Sequence, residues 1–506
     1  MSHTRGGRTN PIDAKRPRRI SRRGFLALAG AVGGSAAAAY LGARFLSSPP
    51  SPPSLPADLD GVVIVGAGLS GLTAASDLLD AGIDVRVLEA HPWIGGRVRS
   101  RRWSNGQVTE MGAEDILDLD ANLWRRIDGL GLAAEPLSPA LDAYFVRGTY
   151  VPPATPTDAA FVGQIDAIPW ADGSAKDAYW DFVAQTVTKD FAPPYGSAED
   201  LALDVDTYTG YLADRGVHPD VDWFTGVNMK AELCARNQEV NALLGLDTYF
   251  YYYNARWYHL RGGNEQLPHA IASRLGGRVF TGVKVQEIVE TADGVRAAYA
   301  REGAEGEIRA RACVVSVQAP HVAPILPDLP PEKASALAQV RYGSYVLPQL
   351  RFSRRFWKDD YGLNTWSVNT DLATNYFVDQ TYTQPGDDGI LVGWIAADDA
   401  ARLFSDAHHG DVTGDAKEAV VEAALGDLEL VYPGARDHLV ESYVTQWRHA
   451  LPYFPPGYVA LLPTLRAPFG RIFFCGDYTE GPGMDTAILS GERAAQQLLQ
   501  AAVLAR

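Results

Sequence analysis

Residues 61–71 join a short apolar run to three spaced glycines: Gly61-Val62-Val63-Ile64-Val65-Gly66-Ala67-Gly68-Leu69-Ser70-Gly71. The β-branched run is typical of a buried parallel strand, and residues 72–81 continue with the apolar spacing of a helix. Gly66 permits a tight turn, Gly68 lets a phosphate approach the backbone, and Gly71 lets the helix pack on the strand. The stretch therefore predicts a strand, a glycine-rich turn and a helix whose N-terminus can bind an anion.

A second strand is predicted at Asp84-Val85-Arg86-Val87-Leu88, and it ends at an acidic residue, Glu89. Glu89 lies 23 positions after Gly66, where its carboxylate can accept hydrogen bonds from both hydroxyls of a ribose. Strand, glycines, helix, strand and acid thus occur in the order of a dinucleotide-binding unit. At this point the dinucleotide can be either NAD or FAD.

The residues after Glu89 indicate which dinucleotide is bound. Ile94-Gly95-Gly96-Arg97-Val98 follows closely, then an Asn105-Gly106 hairpin turn, then a strand that ends in Glu110-Met111-Gly112-Ala113-Glu114. This order resembles the flavin amine oxidase superfamily, which includes monoamine, polyamine and L-amino-acid oxidases, protoporphyrinogen oxidase and the phytoene-type desaturases. The resemblance implies that Gly95 and Gly96 admit the flavin at close range and that Arg97 balances the phosphate charge. Alternatively, Arg97 is a surface ion-pair residue.

Four further stretches resemble the same family, at residues 260–268, 283–288, 313–320 and 472–495. They imply that the cofactor is FAD, with the backbone of Val285 at the adenine, Asp477 near the ribityl and phosphate groups, and the Met484 amide at the pyrimidine ring. The predicted cofactor-binding residues are Gly66, Ala67, Gly68, Leu69, Ser70, Gly71, Glu89, Gly95, Gly96, Arg97, Val285, Gly476, Asp477 and Met484.

The sequence departs from the amine-oxidising members of the family at four positions. Leu347 falls where a lysine is expected after the Gly343-Ser344 pair, and Ala450 and Gly483 replace the two tyrosines of the aromatic cage. His449 stands where covalent-flavin members carry the attaching cysteine. The resemblance therefore implies a non-covalently bound FAD, and it weakens the assignment to simple amine oxidation.

Candidate catalytic residues come from the segment that the resemblance places along the flavin. His449 is a candidate proton donor or acceptor near the ring, because imidazole titrates near neutral pH, although a hydrogen-bonded structural histidine is an equal alternative. Trp447 and Tyr453 are candidates for the wall of the site or, equally, for ordinary aromatic core.

The predicted fold class is α/β, with a discontinuous Rossmann-type FAD-binding domain and an inserted α+β substrate domain. The FAD-binding parts are residues 59–125, 261–320 and 441–506, and the substrate-domain parts are residues 126–260 and 321–440. Residues 249–258 are unusually aromatic, and they either line an apolar pocket or form a core or interface belt.

The N-terminal segment has the features of a bacterial export signal. Residues 1–46 contain nine basic residues and one acidic residue, and Arg22-Arg23 precedes an uncharged run from Phe25 to Ala43. We expect a twin-arginine signal peptide at residues 1–46, a Pro/Ser-rich linker at residues 47–58, and export to the periplasm or medium by the twin-arginine translocation machinery. No stable membrane span is expected after cleavage, although an uncleaved anchor is the alternative.

The rest of the chain excludes several functional classes. Residues 47–506 hold 36 basic and 60 acidic residues, a formal charge of −24, which argues against a nucleic-acid partner. Three cysteines, at 234, 313 and 475, are too few and too far apart for a disulfide framework or a CxxC metal site. His408-His409 lacks a third spaced ligand, so no metal site is expected.

The resulting hypothesis is an exported FAD-dependent oxidoreductase that oxidises the C–N bond of an amine or amino acid. Hydride would pass to flavin N5, and O2 or another acceptor would reoxidise the flavin. The alternative is a desaturase, porphyrinogen-oxidase-like enzyme or isomerase that acts on C–C or C–H bonds of an apolar substrate. A non-catalytic flavoprotein is the second alternative.

Overall fold

The computed structural model describes residues 55–137, 142–154, 158–186, 188–362, 365, 367–404 and 409–501. The predicted signal peptide, residues 1–46, and residues 47–54 of the predicted linker lie outside these ranges. All the elements named below belong to one compact unit, Pro56–Arg506.

The described chain contains both strands and helices. The strands are β1 Asp58–Val65, β2 Asp84–Leu88, β3 Ser100–Arg102, β4 Val108–Glu110, β5 Ile116–Leu117, β6 Ala134–Pro136, β7 Ala143–Val146, β8 Thr149–Val151, β9 Trp257–Leu260, β10 Val279–Phe280, β11 Val283–Glu290, β12 Val295–Arg301, β13 Ala304–Val315, β14 Arg341–Phe352, β15 Ser367–Thr370, β16 Thr374–Asp379, β17 Gly389–Ala396, β18 His409–Asp411, β19 Leu439–Tyr453 and β20 Ile472–Phe474. The helices are α1 Leu69–Asp80, α2 Ala121–Gly129, α3 Asp158–Asp166, α4 Gly173–Thr186, α5 Ala198–Leu203, α6 Tyr208–Asp214, α7 Pro219–Leu233, α8 Ala242–Asn254, α9 Gln266–Arg274, α10 Pro331–Gln339, α11 Phe356–Asp359, α12 Ala397–Leu403, α13 Gly414–Val431, α14 Leu462–Arg466 and α15 Met484–Gln500.

A seven-stranded sheet carries the glycine-rich turn. Its strand order is β10-β2-β1-β13-β12-β11, with β20 also paired to β13. Strands β10, β2, β1, β13 and β20 pair in parallel, whereas β11, β12 and the first part of β13 form an antiparallel meander. These strands come from three separate parts of the chain, which confirms the predicted discontinuous Rossmann-type domain.

Close packing explains why small residues stand beside β1. Residues 62–65 of β1 are at most 4% exposed, because strands flank them on both sides and helices cover the sheet. A Cβ on Gly71 would lie 2.1 Å from the Gly66 carbonyl oxygen, and one on Gly491 would lie 2.3 Å from the Ser70 carbonyl oxygen. Glycine therefore lets α1 lie against the turn and α15 lie against α1.

An eight-stranded sheet, ordered β18-β19-β14-β17-β16-β15-β7-β8, forms the second layer system. Alternate side chains of β14 point to opposite faces, as the pleat requires. Val346, Leu350 and Phe352 pack in a core with α13, whereas Tyr345 and Leu347 join an aromatic cluster on the other face. That second face looks towards the candidate site described below.

One strand, β19, crosses the predicted boundary between two domain parts, and the aromatic run divides between core and pocket. Strand β19 pairs with β14 and β18, so a strand assigned from residue 441 onward to the FAD-binding domain lies in the eight-stranded sheet. Within the aromatic run, Tyr249 is fully buried, whereas Tyr251 and Tyr252 line a cavity. The run therefore contributes both to the core and to a pocket.

We find no membrane-spanning candidate among the described helices, because none is both long enough and apolar enough. The alternative of an uncleaved N-terminal anchor concerns residues outside the described ranges.

Candidate active site

A cavity of about 980 Å³ reaches from the turn after β1 to the inner face of the eight-stranded sheet. This volume suits a large cofactor or a cofactor-sized ligand. All the predicted cofactor-binding residues except Ala67 and Gly71 line it. The sequence motifs, which are up to 418 positions apart between Gly66 and Met484, thus meet at one surface.

Glu89 is fixed at the end of β2 by two backbone amides. Its Oε2 accepts a hydrogen bond from the Ala67 amide and its Oε1 accepts one from the His91 amide, both at 2.8 Å. The side chain is buried, with 8% of its surface exposed, yet it lines the cavity. The carboxylate is therefore held where the motif requires an acceptor for ribose hydroxyls.

The N-terminus of α1 provides a cradle for a phosphate. No described side chain caps this helix at Gly68, so the first-turn amides remain available to a ligand. A Cβ at Gly68 would meet no described atom within 4 Å, because it would point into open space. The Gly95 amide donates to the Ala67 carbonyl at 2.8 Å, which brings the double-glycine segment against this turn. Residues and space here fit a dinucleotide pyrophosphate.

Arg97 and Asp477 form a bidentate ion pair on the cavity wall. The guanidinium donates to the two Asp477 carboxylate oxygens at 2.6 and 3.0 Å and to the Ala450 carbonyl at 2.6 Å. Arg97 is thus an ion-pair residue, but it joins two of the segments predicted to bind FAD at the cavity instead of lying on the outer surface. The pair fixes both side chains for contact with a cofactor.

A second helix N-terminus, that of α15, also opens to the cavity. The helix begins at Met484 after Gly483, which has a φ of +120°, and no described side chain caps it. Gly476, two residues after β20, has a φ of +140°, which suits glycine. The predicted contact of the Met484 amide with a flavin is therefore sterically open.

The three candidate catalytic residues are placed differently. Trp447 lines the cavity, and its indole N–H donates to the Met111 carbonyl at 2.6 Å. His449 also lines the cavity, and its ring centroid lies 5.4 Å from that of Tyr342. Tyr453, further along β19, is not among the described residues that line the cavity. The structure therefore brings two of the three residues together at the site.

The chain matches the model of the flavin containing amine oxidoreductases over residues 69–499. It belongs to this family. The family assignment confirms the resemblance seen in the sequence and makes this flavin amine oxidoreductase an FAD-dependent enzyme.

Individual relatives and solved structures agree with the family. An L-amino-acid oxidase of Demansia vestigiata is 26% identical over 469 residues, covering 87% of each chain, and one of Vipera ammodytes ammodytes is 26% identical over 462 residues, covering 87% of this chain and 93% of the relative. A putrescine oxidase structure with bound putrescine aligns with a TM-score of 0.72 at 20% identity, over 89% of this chain and all of that one. Cyclohexylamine oxidase from Brevibacterium oxydans IH-35A aligns with a TM-score of 0.68 at 24% identity, over 87% of this chain and 98% of that one. The two solved structures show that this chain shares their fold.

Three positions at which this flavin amine oxidoreductase departs from the expected pattern all line the cavity: Leu347, Ala450 and Gly483. Leu347 is 3% exposed and belongs to the aromatic cluster with Trp394 and Trp447. The wall at these positions is aliphatic or small, so it leaves room beside the aromatic side chains.

A group of carboxyls lines the cavity beyond the predicted residues. Glu114 and Asp115 follow β4, and Glu232 comes from the last turn of α7. Glu114 ends one of the predicted strands that carry the family resemblance, whereas no motif in the sequence marked Asp115 or Glu232. Glu232 lies 117 positions from Asp115, and only the packing of α7 brings it to the wall.

Burial shifts the pKa of each of these three carboxyls. It raises the pKa of Glu114 well above the ordinary value, and the neighbouring Glu110 adds to the rise. Burial likewise raises the pKa of Asp115, with Glu114 adding, and that of Glu232, with Asp115 adding. Because each charge disfavours the next, the group resists full ionisation in the free protein.

Glu110 lies just outside the cavity wall, and its buried carboxyl should make the stability of the protein depend on pH. Burial raises the pKa of Glu110 to about 8, although the Asn264 amide and the Ser100 hydroxyl donate to its carboxylate at 2.8 and 2.7 Å. A raised carboxyl pKa gives stability that is complete below the unfolded-state pKa and is lost as pH rises through the folded-state value. As pH rises from about 5 to about 9, we expect the Tm of the Glu110→Gln variant to fall less than the Tm of the parent protein, as measured by circular dichroism. Equal falls in Tm would contradict a raised pKa of Glu110.

Proposed function

We propose that this protein is an amine oxidase that acts on a cationic amine without an α-carboxylate. The group of buried carboxyls at the cavity wall, Glu114, Asp115 and Glu232, carries the proposal. Glu114 Oε2 and Asp115 Oδ1 have no hydrogen-bond donor among the described residues. An ammonium group supplies both N–H donors and a positive charge, so it would satisfy these oxygens.

The cationic residues of the cavity argue against an amino acid as substrate. Within the described part of its lining, the Lys and Arg residues are Arg97 and Lys284. Asp477 and the Ala450 carbonyl already hold Arg97, and Lys284 is exposed beside Val285, the residue predicted to lie at the adenine. A substrate carboxylate near the acidic group would be buried without a partner, which is costly. The arrangement favours an amine, and a diamine more than a monoamine.

Binding of the amine would change the protonation of the carboxyls. Burial raises the pKa of each carboxyl and so favours its protonated form in the free protein. A nearby ammonium favours the ionised form of a carboxyl and lowers its pKa. Substrate binding is therefore coupled to release of a proton from this group.

The proposed reaction breaks the C–H bond on the carbon that bears the nitrogen. FAD, when bound, supplies the acceptor for this hydrogen as hydride. The nitrogen loses a proton, and water hydrolyses the resulting imine to a carbonyl compound and a free amine or ammonia. O2 takes the two electrons and two protons and becomes hydrogen peroxide. Tyr345, Trp394 and Trp447 provide aromatic walls that orient the substrate and exclude water.

The alternative of an apolar substrate, as in desaturation or porphyrinogen oxidation, suits this cavity less well. An apolar molecule would leave Glu114 Oε2 and Asp115 Oδ1 buried without donors. A non-catalytic flavoprotein would have no need for the group at all.

A substrate panel tests the proposal. The FAD-loaded protein is mixed anaerobically with 1,4-diaminobutane, butylamine, leucine or a carotenoid, and the flavin absorbance is followed before air is admitted. We expect the diamine to bleach the flavin fastest and to give peroxide in air. Bleaching by leucine but by neither amine, or by the carotenoid alone, would contradict the proposal.

We also propose export by the twin-arginine route, supported by Arg22-Arg23 and by three cysteines that are buried and unpaired. A protein without disulfides can fold around FAD in the cytoplasm before export. We expect the Arg22→Lys and Arg23→Lys double variant to be retained in the cytoplasm of a bacterial host that has this route, as measured by fractionation and immunoblotting.

The matched control replaces the neighbouring Arg18-Arg19 pair with lysines, since this change also preserves the charge of the segment. The control protein should be exported normally. Equal export of both double variants would rule out recognition of the Arg22-Arg23 pair.

A further inference from the structure

Three histidines from separate segments meet on the cavity wall. His321 ends a 3-10 turn, Ala319–His321, whereas His409 and His449 lie in β18 and β19. One ring nitrogen from each residue lies within 4.8 Å of the other two. The sequence predicted no metal site because His408-His409 lacks a spaced third ligand, yet folding brings His321 and His449 to His409.

Backbone contacts hold the three segments in register. His409 pairs with Trp447 across β18 and β19, two residues before His449. The Gln318 side-chain amide donates to the His449 carbonyl at 2.7 Å, which ties the 3-10 turn to β19. The ring centroids of His321 and His409 lie 5.9 and 5.7 Å from that of His449. The imidazoles are therefore positioned by the sheet and the turn.

The spacing is close to that of a metal centre. Imidazole nitrogens on a tetrahedral ion at about 2.0 Å are roughly 3.3 Å apart. The three nitrogens lie within 4.8 Å of one another, so a bound ion would draw the rings closer together. His409 Nδ1 is buried and makes no hydrogen bond within the described part of the chain, so this nitrogen is available to a metal ion.

We propose that His321, His409 and His449 bind one divalent transition-metal ion of the class that prefers imidazole, namely Zn²⁺, Ni²⁺ or Cu²⁺. No described carboxylate belongs to the cluster, which disfavours the hard ions Mg²⁺ and Ca²⁺. Three protein ligands leave at least one coordination position for water or a small molecule. The three histidines are different residues from Glu114, Asp115 and Glu232, the carboxyls that carry the proposed amine specificity.

The test uses FAD-loaded protein, treated with a chelator and desalted, then titrated with Cu²⁺ and examined by electron paramagnetic resonance. His3 is replaced by Gln in every sample, because a histidine in the N-terminal segment also offers a nitrogen ligand. We expect one Cu²⁺ per chain with hyperfine coupling to imidazole nitrogens. Titration with Zn²⁺ followed by calorimetry should give the same stoichiometry, and Mg²⁺ should give no binding.

Variants of two ligands identify the site. His321→Gln and His409→Gln should each weaken Cu²⁺ and Zn²⁺ binding at least about tenfold, since each removes one of three ligands. His269→Gln, an exposed histidine on α9, is the matched control and should bind like the parent. An FAD-loaded parent that binds neither ion, or cluster variants that bind as well as the control, would overturn the proposal. Thermal unfolding of each variant shows whether a loss of binding merely reflects a loss of fold.

Discussion

Replacing Asp115 with Asn is expected to lower kcat/KM for 1,4-diaminobutane by about 30-fold or more, because loss of one partner from a buried charge pair costs about 2 kcal/mol or more. Asp115 lines the cavity, and its Oδ1 has no donor among the described residues. Asparagine has the same shape but no negative charge, so the cavity should keep its size. Steady-state peroxide formation across diamine concentrations measures the effect.

Stability should change in the opposite direction. Burial and the neighbouring Glu114 raise the pKa of Asp115, so its ionised form opposes folding as pH rises. Asn cannot ionise, and we therefore expect the variant to have a Tm at about pH 8 that equals or exceeds that of the parent. A lost activity together with a retained or raised Tm distinguishes substrate binding from a structural role, as is common where a site stores unfavourable charge.

Glu110→Gln is the matched control for this experiment. Glu110 is also buried and also has a raised pKa, but it does not line the cavity. The Glu110→Gln variant should keep kcat/KM for the diamine within about threefold of the parent value. Asp115→Asn should lower kcat/KM less for butylamine than for the diamine. If both variants lose diamine turnover equally, or if Asp115→Asn loses none, the carboxyls do not select the substrate.

The parts of this fold that could be predicted are those encoded locally. Spaced glycines, a β-branched run and Glu89 predict a turn, a strand and a ribose acceptor within 29 residues. The structure forms the turn and the strand and holds the Glu89 carboxylate at the cavity. The family resemblance then located Arg97, Asp477 and Met484 on the same cavity. Asp477 begins a 3-10 turn after β20 and Met484 begins α15, whereas Arg97 lies in the loop between β2 and β3 directly after the Gly95-Gly96 pair.

The remaining site residues depend on packing between distant segments. Glu232 reaches the cavity only because α7 lies against the inner face of the eight-stranded sheet, and no periodicity in the sequence marks it. The histidine cluster joins positions 321, 409 and 449, so no spacing rule could find it. Tyr453 failed to reach the cavity because β19 continues past the wall. The sequence identified aromatic wall candidates by residue type, but it did not show which of them the strand carries past the cavity.

A second large effect is expected from Gly68→Ala at the start of α1. The backbone at Gly68 has φ −74° and ψ 176°, which alanine adopts freely, and the added methyl would meet no described atom. The variant should fold with a Tm of the FAD-free protein unchanged within about 2 °C. The methyl would nevertheless occupy the space proposed for the pyrophosphate, so FAD affinity should fall by about tenfold or more, since a forced methyl in a packed contact costs about 1–3 kcal/mol.

Gly173→Ala is the control, because that glycine also has no described neighbour near its Cβ position but lies at the start of α4, away from the cavity. Equilibrium titration of the FAD-free proteins with FAD, followed by flavin fluorescence, should give parent-like affinity for the control and weakened affinity for Gly68→Ala. A Gly68→Ala protein that binds FAD as tightly as the control would show that the pyrophosphate does not approach this turn. A parallel fall in Tm would instead assign Gly68 a packing role. FAD affinity should fall without a fall in Tm, because the added methyl occupies space that is open in the FAD-free protein and filled only when the cofactor binds.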